Sequence, residues 1–144
     1  MQSTQEKKQT GFKLLAIELL DFSLNFQEKA IIPFKTYHFN LRVEQRIIED
    51  KKMVIVTLLV SVLHEDQETI LGTVRASCIF EIFNFEALER NVDGNISLPE
   101  QTNISLNSIT ISTMRGIMFS LFRGTYLHNA FLPIVDPASL KIDK

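Results

Sequence analysis

The stretch RGIMFSLFRGTYLHNAFLPIVDP, residues 115–137, decides the fold. It opens as an apolar helix and runs into Arg123-Gly124-Thr125-Tyr126, where Gly124 stands at a helix C-cap position with Arg123 in the last turn. A mixed apolar loop follows and ends in Leu132-Pro133-Ile134-Val135-Asp136-Pro137. Neither proline can continue a helix, because each lacks the backbone N–H and its ring clashes with the preceding turn. Working back, Ile111, Met114, Met118, Leu121 and Phe122 recur at helical spacing with Ile117 beside them, which predicts a helix over most of 104–122. The start of that segment, ISLNSITI, is β-branched and alternating, and suits a strand as well as a helix.

Four strand-like segments lie upstream. In residues 12–26 the even positions Phe12, Leu14, Ala16, Leu20, Phe22, Leu24 and Phe26 are apolar, broken once by Glu18, and this period of two predicts a strand with those positions on one face. Leu15, Ile17 and Leu19 are apolar too, so both faces of its first half want cover. In residues 27–35, QEKAIIPFK, Pro33 rules out a central strand, while Ile31, Ile32 and Phe34 are too apolar for an ordinary solvated loop. A second strand is predicted over 36–43, with Tyr37, Phe39, Leu41 and Val43 on one side, and a turn at 49–52. Residues 53–64 are apolar almost throughout, as in a strand buried on both faces. After the charged link 65–68, a fourth strand over 69–83 puts Ile70, Val74, Ala76, Cys78, Phe80 and Ile82 inward. Gly72 within it marks a bulge or close packing. Short polar links favour an antiparallel meander, since parallel crossovers need a dozen or more residues. The apolar link 27–35 is the one place for a longer crossover.

The bulk numbers set the class. With 144 residues the chain is one domain's worth, expected as a disordered polar leader over 1–10 and a single domain over 11–144. A net charge of −2 argues against nucleic acid, whose binding needs a concentrated basic patch. The single cysteine excludes an intramolecular disulfide, and Cys78 reads as a small buried hydrophobe. No signal peptide or membrane span is legible, so a soluble, cytoplasmic protein is expected.

A search for chemistry finds little. His38, His64 and His128 follow no ligand spacing, and one cysteine cannot build a zinc cluster. The five glycines form no phosphate loop, and no serine has the G-x-S-x-G setting of an exposed nucleophile. The acidic pairs Glu49-Asp50 and Glu65-Asp66 fall in predicted turns, where solvation is their ordinary role. No enzyme, cofactor or metal is expected. What remains is surplus apolar surface, because one helix cannot cover a sheet of about four strands, and the surplus must meet a second subunit, a ligand or both. Met114 and Met118 at helical spacing are core residues by default.

The order of four strands, helix, R-G-T-aromatic and proline-bounded apolar loop resembles the SecB-like protein-export chaperone family over residues 12–140. The resemblance implies an α+β fold: a four-stranded antiparallel sheet, a long C-terminal-half helix packed on one face, and a short terminal helix. It implies an ATP-independent holdase for unfolded polypeptides, assembled as a dimer of dimers. Carried onto this chain, a crossover over 30–37 would offer Ile31, Ile32, Phe34 and Tyr37 to clients, opposite Phe131, Leu132, Ile134 and Leu140. Ile109, Met114, Ile117 and Leu121 would form the oligomer contact. Docking to the motor SecA would use Asp21 and the neighbourhood of Leu71, but Thr73 stands where a carboxylate is expected and Lys141 and Lys144 replace an acidic tail. SecB-like proteins also include chaperones that guard antitoxins, so a dedicated single-client chaperone is the alternative, and a purely structural subunit the third reading.

Overall fold

The computed structural model describes residues 11–25, 37–139 and, as backbone, 142–143. Four long strands form the sheet: β1 (Phe12–Leu24), β2 (His38–Ile48), β3 (Met53–Leu63) and β4 (Ile70–Ile82). A small hairpin, β5 (Glu89–Arg90) with β6 (Ile96–Ser97), precedes one long helix, α1 (Glu100–Phe122), and β7 (Ile142–Asp143) comes last. The main sheet has the order β1-β4-β3-β2-β7, antiparallel except where β7 runs parallel to β2. The fold is therefore α+β with a four-stranded antiparallel sheet, as expected, plus a two-residue strand on its β2 edge. Because β1 and β2 lie on opposite sides of the β4–β3 pair, the chain between them joins strands that are not neighbours.

One face of β3 forms the core: Val54, Val56, Leu58, Val60 and Val62 are wholly buried beneath α1. Its other face, Met53 to Leu63 at odd positions, is only half-buried, so β3 lacks the two-sided cover that its composition suggests. On that second face hydroxyls pair across strands, Thr57 with Ser77 at 2.7 Å and Ser23 with Thr73 at 2.6 Å. Along β4, Val74, Ala76, Cys78, Phe80 and Ile82 face inward as the pattern predicts, whereas Ile70 at the strand's start is exposed. Gly72 is required by close packing: a Cβ there would lie 2.9 Å from Leu127 Cδ1 and 3.0 Å from the Ser23 carbonyl.

In β1 the even-position pattern does not survive. The register passes from Leu14↔Phe80 to Ala16↔Ile79, leaving Leu15 extra, and from Leu19↔Ala76 to Asp21↔Arg75, leaving Leu20 extra. Each β-bulge inserts one residue and flips the face that follows. Directly opposed antiparallel residues point to the same side. The helix-side row is thus Phe12, Leu14, Ile17, Leu19, Phe22 and Leu24, while Ala16, Glu18 and Asp21 look the other way.

Helix α1 begins earlier than the spacing alone suggests, at Glu100 just after Pro99, and ISLNSITI is helical. Tertiary packing decides that ambiguity: Leu106, Ile111, Met114, Met118 and Phe122 form a buried stripe over β3 and β4. Thr110 and Thr113 satisfy their hydroxyls on the carbonyls of Leu106 and Ile109. The helix stops where predicted. Gly124 adopts φ +78°, a left-handed conformation that glycine takes without steric cost, and Thr125 Oγ1 donates to the freed Phe122 carbonyl at 2.6 Å. After α1, the short helical element among the described residues is a 3-10 turn at Pro137–Ser139.

Candidate functional site

The residues after α1 fold back along it, and Arg115 of the helix fastens them. Arg115 donates from Nε to the Leu132 carbonyl and from Nη2 to the Pro133 carbonyl, both at 2.9 Å. Leu127, Ala130 and Leu132 enter the core, but the residues between and beyond them cannot follow. Phe131 stacks on Phe119 of α1, with centroids 6.2 Å apart and planes 22° apart, and both rings stay about half exposed. Ile134, between the two prolines, is 97% exposed.

A second apolar surface runs along β1. Since α1 lies over β3 and β4, it reaches β1 by ring contact only at its last residue, where Phe122 meets Phe22 at 6.0 Å. Much of the helix-side row stays exposed: Leu14, Ile17, Leu19 and Phe22 are each more than a third exposed, and the bulged Leu15 and Leu20 are 45% exposed, while Phe12 and Leu24 at its ends pack partly against the core. Exposed apolar residues grouped in this way mark an interaction surface, unlike scattered single ones.

Between these surfaces Tyr126 acts as a fastener. Its hydroxyl lies 2.5 Å from the Asn25 carbonyl and 2.6 Å from the Leu71 carbonyl, and its own carbonyl accepts from the Tyr37 hydroxyl at 3.4 Å. Asn25 and Tyr37 are the described residues flanking 26–36, so one tyrosine holds both ends of that connection. Burial pushes both phenols above their ordinary pKa.

Of the expected client-binding residues, Ile31, Ile32, Phe34 and Leu140 lie outside the described residues. Tyr37 is half-buried and bonded to Tyr126, and Phe131 and Ile134 are exposed. Leu132 is 3% exposed and packs in the core. In the expected oligomer set, Met114 is likewise a core residue beneath the helix, whereas Ile109, Ile117 and Leu121 are partly buried at its margin. Leu71 is buried in the core, while Asp21 is exposed on the opposite face beside Arg75, the face that also carries Thr73. Phe119 and the β1 row escaped the sequence reading as site residues. The unexplained odd-position apolar residues of β1 were the signal for the latter.

Elsewhere the chemistry is structural. Cys78 is buried against Thr110 and Thr113, and burial pushes its thiol pKa up. A cleft of about 340 Å³ between β2, the β5–β6 hairpin and the start of α1 is lined by Gln45, Asn91, Asn95 and Asn103. Its carboxamides serve the fold: Gln45 donates to Asn103 at 3.0 Å, and Asn91 Oδ1 accepts the amides of Asp93 and Asn95. Among the described residues no three His, Cys, Asp or Glu side chains come together as a metal ion would need, and no helix is long and apolar enough to cross a membrane.

No protein-family model and no curated protein matches the sequence. Solved structures do match. One is the Mycobacterium tuberculosis SecB-like chaperone Rv1957, in complex with a ChAD peptide from the Rv1956 HigA1 antitoxin. It superposes with a TM-score of 0.64 at 11% sequence identity, over 86% of this chain and 89% of that one. At this identity the likeness is one of fold: this chain has the fold of a SecB-like chaperone.

Proposed function

We propose that this protein is a nucleotide-independent chaperone that holds non-native polypeptide against its apolar surface. The observation that carries this reading is the uncovered apolar surface of a SecB-like fold, comprising the β1 row and the Phe119, Phe131 and Ile134 group. Ile31, Ile32, Phe34, Tyr37 and Leu140 extend the proposed client surface. Apolar rings and branched chains accept many sequences because their contacts are non-directional. The test is aggregation suppression without nucleotide, following light scattering of a chemically unfolded, slow-folding client. Suppression at near-stoichiometric amounts is expected, and its absence would sink the general holdase.

A second reading is a dedicated chaperone for one client, such as an antitoxin in a toxin–antitoxin system. The antitoxin peptide bound to the structural neighbour favours it. A client pull-down separates the two: one dominant protein for the dedicated chaperone, many for the holdase, exported preproteins among them.

Assembly is part of the proposal. The outer edge of β1 has no strand beside it among the described residues, and its row is apolar, so pairing with a second copy would bury both. Ile109, Ile117 and Leu121 would then serve helix contacts in a dimer of dimers. Light scattering of the purified protein gives the mass, and a hydrophobic dye reports what assembly leaves open. A dye-silent oligomer would favour a purely structural subunit. Delivery to SecA is not proposed, because Thr73, on the same sheet face as Asp21, stands where the resemblance expects a carboxylate.

A further inference from the structure

Arg115 is a cation without a counterion. It is half-buried on α1, one turn before Phe119, and its bonds go to the Leu132 and Pro133 carbonyls. Ion pairs between described residues join Lys52 to Glu86, Arg90 to Glu49 and His64 to Asp66, and none includes Arg115. Asp136, the acid that follows in the same segment, accepts the Ala138 amide at its Oδ1 at 3.0 Å. The two carbonyls use Nε and Nη2, the side-on fork of the guanidinium. The end-on fork, formed by Nη1 and the second Nη2 hydrogen, has no protein partner among the described residues. The surrounding sequence carries the same sign: residues 101–135 contain Arg115 and Arg123 and not one aspartate or glutamate, in a chain whose net charge is −2. Phe131 and Ile134 flank the two carbonyls that Arg115 holds, and Phe131 stacks on Phe119, so the cation stands beside the exposed apolar group.

We infer that Arg115 and the Phe119–Phe131 pair form a carboxylate-reading subsite, which selects polypeptide segments where an apolar side chain neighbours a carboxylate. That carboxylate is an acidic side chain or a free chain end. A planar guanidinium receives a carboxylate through two parallel N–H bonds, and partial burial strengthens the attraction relative to open water. The rings supply contact area without choosing a sequence, whereas the charge discriminates between sequences. The inference rests on the polypeptide-binding reading above and adds a preference to it.

The test uses fluorescence anisotropy of labelled peptides that share one frame of phenylalanine and leucine. Three are blocked at both ends and differ only in a central Glu, Gln or Lys; the fourth has the central Gln and a free C-terminal carboxylate. The wild type is expected to bind the Glu peptide roughly tenfold more tightly than the Gln peptide, the scale of one hydrogen bond to a charged group, and the Lys peptide more weakly still. Arg115→Gln is expected to bind the Glu and Gln peptides alike, and Arg115→Lys to keep part of the preference, with circular dichroism establishing that each variant keeps its fold. A loop that merely loosens would lower both affinities together and preserve their ratio, so the ratio separates reading a carboxylate from fastening the loop. The wild-type comparison stands whatever a variant does to folding. A gain from the central Glu assigns acidic side chains, and a gain confined to the free chain end assigns C-termini. Equal wild-type affinity for all four peptides, or a Glu-to-Gln ratio that survives in Arg115→Gln, would overturn the inference and leave the client surface standing. Binding of none overturns it as well, and aggregation suppression on the same protein then decides the polypeptide-binding reading by itself.

Discussion

Ile134 and Leu132 are two residues apart in one irregular segment, yet they should respond to mutation in opposite ways. Ile134 is 97% exposed, so Ile134→Ser removes almost no buried area and should leave the unfolding free energy within about 0.5 kcal/mol of wild type. If client binding covers that side chain, the whole transfer term of an isoleucine is at stake, about 1.5–3 kcal/mol, or roughly ten- to a hundredfold in affinity. Leu132 is 3% exposed and already spends its apolar area on folding. Leu132→Ala should therefore cost about 2–5 kcal/mol of stability through lost burial and a residual cavity. Arg115 would still grip the Leu132 and Pro133 carbonyls, so the segment should stay in place and client affinity of the folded fraction should change little. The assays are urea unfolding followed by circular dichroism, and fluorescence anisotropy of a labelled unfolded client. An Ile134→Ser variant that is stable and binds clients at wild-type affinity would refute the argument and remove this end of the segment from the client surface.

Three further outcomes are expected. Tyr126→Phe deletes the hydroxyl beside the Asn25 and Leu71 carbonyls, and should cost about 1–3 kcal/mol in urea unfolding; a loss under about 0.5 kcal/mol would show that water replaces it freely. Gly72→Ala drives a Cβ towards Leu127 and the Ser23 backbone, and should destabilise by about 1–3 kcal/mol, with a neutral result meaning that β1 and β4 separate easily. Asp66 is held at about 2 by hydrogen bonds from the Thr69 hydroxyl and the Thr69 and Glu68 amides. With the folded pKa below the ordinary 3.8, its contribution is complete above that value and is lost as pH falls through about 2, so the stability difference between wild type and Asp66→Asn should shrink over that window; a constant difference would refute the assignment.

Much of the architecture was legible because local and tertiary signals agreed. The alternation of β4, the near-continuous apolar run of β3 and the Gly124 stop each express one physical requirement: a buried face, a central position, a left-handed backbone. Where two requirements compete, the sequence is silent on which prevails. ISLNSITI could alternate as a strand or present Leu106, Asn107 and Ile111 to one side of a helix, and only the sheet beneath settles the matter. The bulges of β1 were hidden for a related reason. A bulge is set by partner register, and a single chain's periodicity carries no record of its partner. Leu132 and Ile134 show the same limit in the candidate site: both are apolar and both border Pro133, and the difference in their burial comes from where Arg115 fastens the loop.

The distribution of apolar surface follows from having one helix for a sheet this wide. Helix axes pack roughly 10 Å from what they cover, and strands lie about 4.8 Å apart, so one helix covers about two strands. Here those two are β3 and β4, the centre of the sheet, which leaves both flanks thin. The β1 flank is apolar and bulged, with no strand on its outer edge among the described residues, whereas the β2 flank pairs with β3 in unbroken register. A second helix over either flank would stabilise the monomer and remove the surface that a polypeptide could use. The sequence instead directs the residues after Phe122 into an Arg115-fastened loop that buries Leu127, Ala130 and Leu132 and leaves Phe131 and Ile134 outside. The chain thus trades monomer stability for exposed apolar surface, and the Ile134 and Leu132 variants measure the two sides of that trade separately.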